Sequence, residues 1–426
     1  MIASGGTSGD RGDDSSLLAV ARRDLLHTMG AATIFSGRSA AAKSEAVTAS
    51  SESSSENGAH VGGAVDLDGD TALVSTRVVA GPTTTESGTV AVYRAAGSGW
   101  KRTATLTPET TGGGFGDSVT VDGSTVVVGS GYHEHAAGGA AGSATVFTRT
   151  AGTWDRTRTL TPTATAGLVQ FGAAVAVDDG TAVVGAPQAR HPEGGRTGSV
   201  DLFTLSNGTW NRETTLVPVT ERERFGHSVA LDSDVAIVGA RADRSTVEDS
   251  GVVCVFRRSG HRWRRTARLA PERTGRDDRF GEAIAIDGST VVVGAPSETN
   301  ANGSNAGAAY VFTRAGGRWR RRKYLAPDGS SDERFGTSVA VSDETVVIGA
   351  EFGGRAEHTD QQPGGTIYVL DRRRSGAVPT ALDRRGQTTP THLATAVATA
   401  DGSVLVNADG RTHSTQTSDY MDVFEP

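Results

Sequence analysis

From residue 61 onward one pattern of roughly 55 residues recurs, and a recurrence of that period restricts the chain to architectures built by repeating a single unit. The anchor is Phe-Gly, at Phe115-Gly116, Phe171-Gly172, Phe225-Gly226, Phe280-Gly281 and Phe335-Gly336, with weaker versions at Val61-Gly62 and Leu393-Ala394. Successive anchors lie 54, 56, 54, 55, 55 and 58 residues apart. Small and β-branched residues alternate after each anchor, as in Ser228-Val229-Ala230-Leu231. A short acidic turn follows, then a β run such as Thr290-Val291-Val292-Val293-Gly294-Ala295-Pro296. Beyond a variable loop comes a third run, such as Gly307-Ala308-Ala309-Tyr310-Val311-Phe312.

The fourth element is the most regular. All 5 tryptophans (Trp100, Trp154, Trp210, Trp263, Trp319) stand seven residues after the last aromatic of the third run, and each is followed six residues later by leucine. Constant spacing across a turn means constant hairpin register, because a slip of one residue would move every side chain to the other face. The unit is therefore four short strands joined by hairpins. Such sheets repeated radially leave only short, protected edges. The sequence thus specifies an all-β chain, a seven-bladed β-propeller of four-stranded antiparallel blades, over residues 61–426. Composition agrees. The 36% apolar residues are dominated by small types beside 56 glycines, with aromatics at 5%, which disfavours the leucine-rich stripes of a helical bundle. No apolar run is long enough for a transmembrane helix, and one cysteine, Cys254, cannot form an intramolecular disulfide. A formal charge of −7 gives no global attraction for nucleic acid or anionic membranes.

The Phe-Gly anchors, with Gly185-Ala186-Pro187 and Gly294-Ala295-Pro296, resemble the FG-GAP repeat. That resemblance implies the seven-bladed propeller of integrin α subunits and of many secreted microbial proteins. It covers residues 61–424, and copies one and seven depart from it, with Val74-Ser75-Thr76 and Val406-Asn407-Ala408 in place of Gly-Ala-Pro. The motif has a structural sense: glycine allows close backbone approach, phenylalanine fills the gap between blades, and proline ends the strand.

Residues 1–42 differ. Arg22-Arg23-Asp24-Leu25-Leu26, the apolar stretch Met29 to Phe35 and Ala40-Ala41-Ala42 occur in the order of a signal peptide, and the arginine pair resembles a twin-arginine export signal. The alternative is a polar tail with an accidental arginine pair. Residues 43–60 form a polar linker. Within it Ala46-Val47-Thr48-Ala49 resembles the outer-strand ends and is expected to close the ring, because copy seven holds three runs, the last Tyr420-Met421-Asp422-Val423-Phe424. An extracellular or cell-surface location, reached through the twin-arginine route, follows. Only then are the glycosylation acceptors at Asn207 and Asn302 meaningful.

Few residues suggest chemistry. The resemblance implies calcium in the loop between the first two strands, yet those segments read here as tight type I′ turns at Asp122-Gly123, Asp179-Gly180, Asp287-Gly288 and Asp401-Gly402. The nearest approach to a ligand run is Asp66-Leu67-Asp68-Gly69-Asp70, in the same short turn, and six to eight oxygens are needed. His133-Glu134-His135 lacks the spacing of zinc hydrolases. No cofactor, metal or catalytic residue is expected, and Cys254 reads as a small core residue. Arginines crowd the outer hairpins of copies four to six, as edge protection or as a dock for acidic surface polymers.

On the first strands, where propeller enzymes hold their catalytic groups, only His227 and Glu282 stand out, each isolated in sequence. Variation concentrates instead in the loops between second and third strands, which carry Tyr132, His133, His135, Arg190, Arg241, Phe352 and Arg355. Variable polar loops with aromatics and arginines on a rigid scaffold are how binding surfaces are built. The expectation is a monomeric, non-enzymatic interaction or adhesion protein. Its partner would be a protein or a cell-surface glycopolymer, with no nucleic acid and no membrane insertion after signal removal. The alternative is a glycan-active or other hydrolase or lyase working near the axis.

Overall fold

The computed structural model describes residues 59–78, 87–97, 99–110, 113–134, 141–163, 168–190, 197–218, 223–242, 251–271, 275, 277–327, 329–343, 345–352, 365–373, 376–381, 392–400, 403–409 and 420–424. The first sheet contains β1 (Ala59–Asp68), β2 (Thr71–Val78), β3 (Ser87–Ala96) and β4 (Gly99–Leu106). The second contains β5 (Phe115–Asp122), β6 (Thr125–Ser130), β7 (Ser143–Thr150) and β8 (Thr153–Leu160). The third is β9 (Ala174–Asp178), β10 (Thr181–Ala186), β11 (Ser199–Ser206) and β12 (Thr209–Leu216). The fourth is β13 (Glu223–Asp232), β14 (Val235–Ala242), β15 (Val252–Ser259) and β16 (Arg262–Leu269). The fifth is β17 (Ile284–Asp287), β18 (Thr290–Ala295), β19 (Ala308–Ala315) and β20 (Arg318–Tyr324). The sixth is β21 (Phe335–Ser342), β22 (Thr345–Ala350), β23 (Thr366–Asp371) and β24 (Thr380–Ala381). A last sheet holds β25 (His392–Ala400), β26 (Ser403–Asp409) and β27 (Tyr420–Phe424).

Six of these sheets are four-stranded antiparallel blades and the last has three strands. The expectation of seven four-stranded blades is corrected accordingly: copy seven supplies three runs, and no fourth strand pairs with β27 among the described residues. Ala46–Ala49, expected to be that strand, lies outside the described residues, as do the arginine pair and the rest of residues 1–42. Each first strand adjoins the first strand of the next sheet, and β25 adjoins both β21 and β1, so the inner strands surround a central channel.

The anchors hold neighbouring blades together. Phe171, Phe225, Phe280 and Phe335 are fully buried. Phe225, for example, packs among Val200, Leu202 and Leu216 of the third blade and Val238, Val252 and Phe256 of its own. Its backbone N–H donates to the Thr197 carbonyl at 3.0 Å, tying the chain to the preceding blade. A β-bulge between Phe225 and Ser228 releases Gly226 and His227 from the ladder. Glycine is required on both sides of this seam. Gly185 lies so close to the Gly226 carbonyl that a Cβ would collide with it, and Gly226 itself has φ 87°.

At the opposite end, carboxylates latch successive blades. Asp68 accepts the Gly123 N–H at 2.6 Å and Asp122 the Asp179 N–H at 2.9 Å. Asp178 accepts from Ser233, Asp232 from Gly288, and Asp287 from the Asp343 backbone. Burial pushes the Asp122, Asp178 and Asp287 carboxyls up, opposed by these same N–H donors. Ser342 and Ala400 occupy the same register position in the last two sheets. Turn types also differ from expectation. Asp179-Gly180 alone, among the described turns of this kind, has positive φ at both central residues, as type I′ requires. Asp122 and Asp287 are strand ends, and Gly123 and Gly288 take the first turn position.

Candidate functional site: the loop face and the channel mouth

The loops between second and third strands open at the same end as the Phe-Gly anchors, because both leave the end of the sheet opposite the first hairpin. Tyr132 follows β6 and is 45% exposed. Its hydroxyl accepts from Gln170 Nε2 at 2.7 Å, a residue just before the next blade's anchor, so the exposed ring is braced by two blades. His133 is half-buried, and its carbonyl accepts the Gly142 N–H at 3.0 Å, closing the base of its loop. Arg190 is exposed where its loop leaves the third blade. Phe352 is half-buried beneath the Arg334 guanidinium, 4.9 Å from its ring centroid, and Arg334 in turn donates to Glu351 at 2.8 Å. The placement of Arg241 in a loop is corrected: β14 extends through it, because β13 continues past the Phe225 bulge and pairs Arg224 with Arg241, whose side chain lies outside the described residues. His135 and Arg355 lie outside them altogether.

Sequence reasoning missed the supports of this face. Gln170 and Arg334 each immediately precede a Phe-Gly anchor, and Glu333 stands one residue earlier. Glu333, 2% exposed, accepts the Tyr368 hydroxyl at 2.6 Å and the Ser330 N–H at 2.9 Å. One blade earlier Glu298, also buried, accepts the Tyr310 hydroxyl at 2.6 Å and pairs with Lys323. Burial, aided by Glu298, raises the Tyr310 phenol far above its ordinary range, so it remains a donor. The visible signal was the acid-Arg-Phe-Gly pattern at Asp278–Gly281 and Glu333–Gly336, together with tyrosine at a third-strand position otherwise small or polar.

The channel mouth changes one expectation. His227 and Glu282 are not isolated: His227 Nε2 lies 3.5 Å from Glu282 Oε1 across the fourth and fifth blades, both side chains partly exposed. Both follow an anchor glycine, and the bulge aims His227 inward. His227 lines a central cavity of about 280 Å³ together with residues such as Ala64, Ser118, Val175, Ala283, Thr337 and Val397, and Glu282 immediately precedes Ala283 in the chain. The serine hydroxyls there hold the next blade: Ser118 donates to the Gly172 carbonyl at 2.9 Å, and Ser228 to the Gly281 carbonyl at 2.7 Å. A general acid–base pair has both its members in this His–Glu contact, while the adjoining Ser228 hydroxyl donates to the Gly281 carbonyl rather than to His227.

The remaining candidates have structural partners. Asp66 accepts the Val121 N–H at 2.8 Å, Asp68 that of Gly123, and Asp70 pairs with Arg94. Their carboxylates thus diverge into three separate bonds. No group of three or more metal-ligating side chains assembles among the described residues. Cys254 is buried in the fourth blade's core. Asn207 is exposed at the β11–β12 turn with φ 52°. Asn302 is half-buried, and its Nδ2, the atom a glycan would take, donates to the Ala326 carbonyl at 2.9 Å.

Six four-stranded antiparallel blades around a channel define an all-β propeller. Within it, residues 154–203, 210–256, 263–312 and 319–370 match the FG-GAP repeat. Each match opens at a fourth-strand tryptophan and closes on the third strand of the following blade, so the repeat straddles every blade junction it covers. No helix among the described residues is long and apolar enough to cross a membrane.

Proposed function

We propose that this chain is a seven-bladed FG-GAP propeller, its three-stranded sheet serving as the seventh blade, that acts outside the cell as a non-enzymatic binding protein. The binding surface is the face carrying Tyr132, His133, His135, Arg190, Arg241, Phe352 and Arg355, and the partner is a surface-exposed protein or glycopolymer. The observation that carries this reading is the bracing of Tyr132 by Gln170 from the neighbouring blade. An exposed aromatic held rigid at low entropic cost is what a binding hot spot needs. The paired arginines at 22 and 23 support export of the folded chain.

Capture from cell-surface extract tests the reading. The wild-type chain should retain a partner that the Tyr132→Ala, Arg190→Ala, Arg241→Ala, Arg355→Ala quadruple variant releases. Retention indifferent to all four changes rejects the loop face. Secretion unchanged in an Arg22→Lys, Arg23→Lys variant rejects the export route. A second reading, an enzyme working at the channel mouth, is favoured by the His227–Glu282 contact. Turnover of a glycan or ester substrate, abolished by His227→Ala or Glu282→Gln, would replace the first reading with it.

A further inference from the structure

The outer rims of the blades are unequal. The fourth strands of the first three blades carry one or two cations each, and two of those strands also carry an acid. The outer strands of the fourth and fifth blades, β16 and β20, hold nine cations and no acid: Arg262, Arg264, Arg265 and Arg268, then Arg318, Arg320, Arg321, Arg322 and Lys323. All nine are exposed. Arg321 donates to the carbonyl of Ala270, just past the end of β16, at 3.0 Å, which joins the two strands into one strip.

Folding accounts for part of this charge. Arg257 and Arg258, one strand further in, pair with Asp234 and Glu213, Lys323 pairs with Glu298, and Arg322 stacks over Tyr324. Arg262, Arg264, Arg265, Arg268, Arg318 and Arg320 have no carboxylate partner among the described residues. Arg264 moreover sits directly opposite Arg257 in the ladder, and like charges so placed destabilise a sheet. Edge protection needs only a charge or two per strand, as the first three blades demonstrate. The surplus opposes the sign of the whole chain, −7.

We propose that the β16–β20 rim is a second binding surface, separate from the loop face, that takes a linear acidic glycan through its carboxylate or sulfate groups. Guanidinium forks suit such groups, which they meet bidentately. A single-stranded nucleic acid would need stacking platforms, and here Trp263, Trp319 and Tyr324 are packed against core clusters. Duplex DNA is read by an element that enters a groove, whereas these strands lie flat along the blade edge.

The test uses the full chain and immobilised polygalacturonate and dextran sulfate, with neutral dextran and a short DNA duplex as comparisons. Binding to both acidic polymers should weaken by about tenfold or more between about 50 and 200 mM salt, as counterion-releasing contacts do. An R262Q, R264Q, R265Q, R318Q, R320Q variant should lose about tenfold or more at the lower salt, and lysine at the same five positions should restore only part of it, since an ammonium keeps the charge but not the fork. Arg156→Gln with Arg158→Gln on the second blade's rim should leave binding within about twofold. Should the fivefold variant melt early, the β16 triple and β20 double variants, each checked for an unchanged melting temperature, carry the same comparison. Absence of acidic-polymer binding, binding unaffected by the glutamines in a folded variant, or duplex DNA bound as tightly as the glycans would overturn the assignment.

Discussion

Phe225 shows how a single residue serves two blades, since its fully buried ring packs against both the third and the fourth. Phe225→Ala should cost about 3–5 kcal/mol, read as a lowered denaturant midpoint; a loss under about 1 kcal/mol would mean that the seam does not depend on the anchor. Asp66 makes the opposite kind of prediction. Five equivalent positions are alanine and one is threonine, and burial raises its carboxyl to about 6 despite the Val121 N–H. A raised carboxyl contributes stability at low pH that is lost as pH climbs from the ordinary carboxylate range through about 6. Asp66→Asn should therefore stabilise the protein at pH 7.5 by something on the order of 2 kcal/mol and change little at pH 3.5. Equal effects at both values contradict this. The anchors were legible because a fixed spacing recurs. Asp66 stood in the sequence only as part of a run too short for calcium, and its partner, Val121, was not legible because it lies 55 residues away and no local pattern records a backbone donor on another blade.

Elements differ in how firmly they are held. Five consecutive junctions carry a carboxylate latch, from Asp68 through Asp287, whereas Ser342 and Ala400 leave both sides of the β25–β27 sheet without one. Among the described residues that sheet is also one strand short of the others. Native-state amide exchange should find β25 and β26 opening sub-globally, well below the free energy that protects β10 and β14. Equal protection in all of these strands would show the ring to be uniformly cooperative. Strand order and hairpin register were readable from the tryptophan spacing, since register follows side-chain alternation. Turn type was read less well: Asp-Gly suggested type I′ throughout, but the ladder extends through Asp122 and Asp287 and shifts the turn by one residue.

Across the whole molecule three regions differ in what they expose. The hairpin turns at one end carry the latches, the rim of the fourth and fifth blades carries six arginines with no carboxylate partner among the described residues, and the opposite end carries the braced loops beside the His227–Glu282 contact. Tyr132, His133, Arg190 and Phe352 lie beyond the ends of the second strands, as expected where variation between fixed strands marks surface loops, whereas Arg241 falls within β14. The sequence could not pair His227 with Glu282, which stand 55 residues apart and meet only when adjacent blades are rolled into a ring. Whether the loop end meets the partner is decided by an amide-exchange footprint of the captured complex. Amide exchange should slow at Tyr132–His133, at Gln188–Arg190 and at Glu351–Phe352, with the turns at Gly123, Asp179 and Ser233 unchanged. Protection confined to those turns, or to the outer strands, would contradict it.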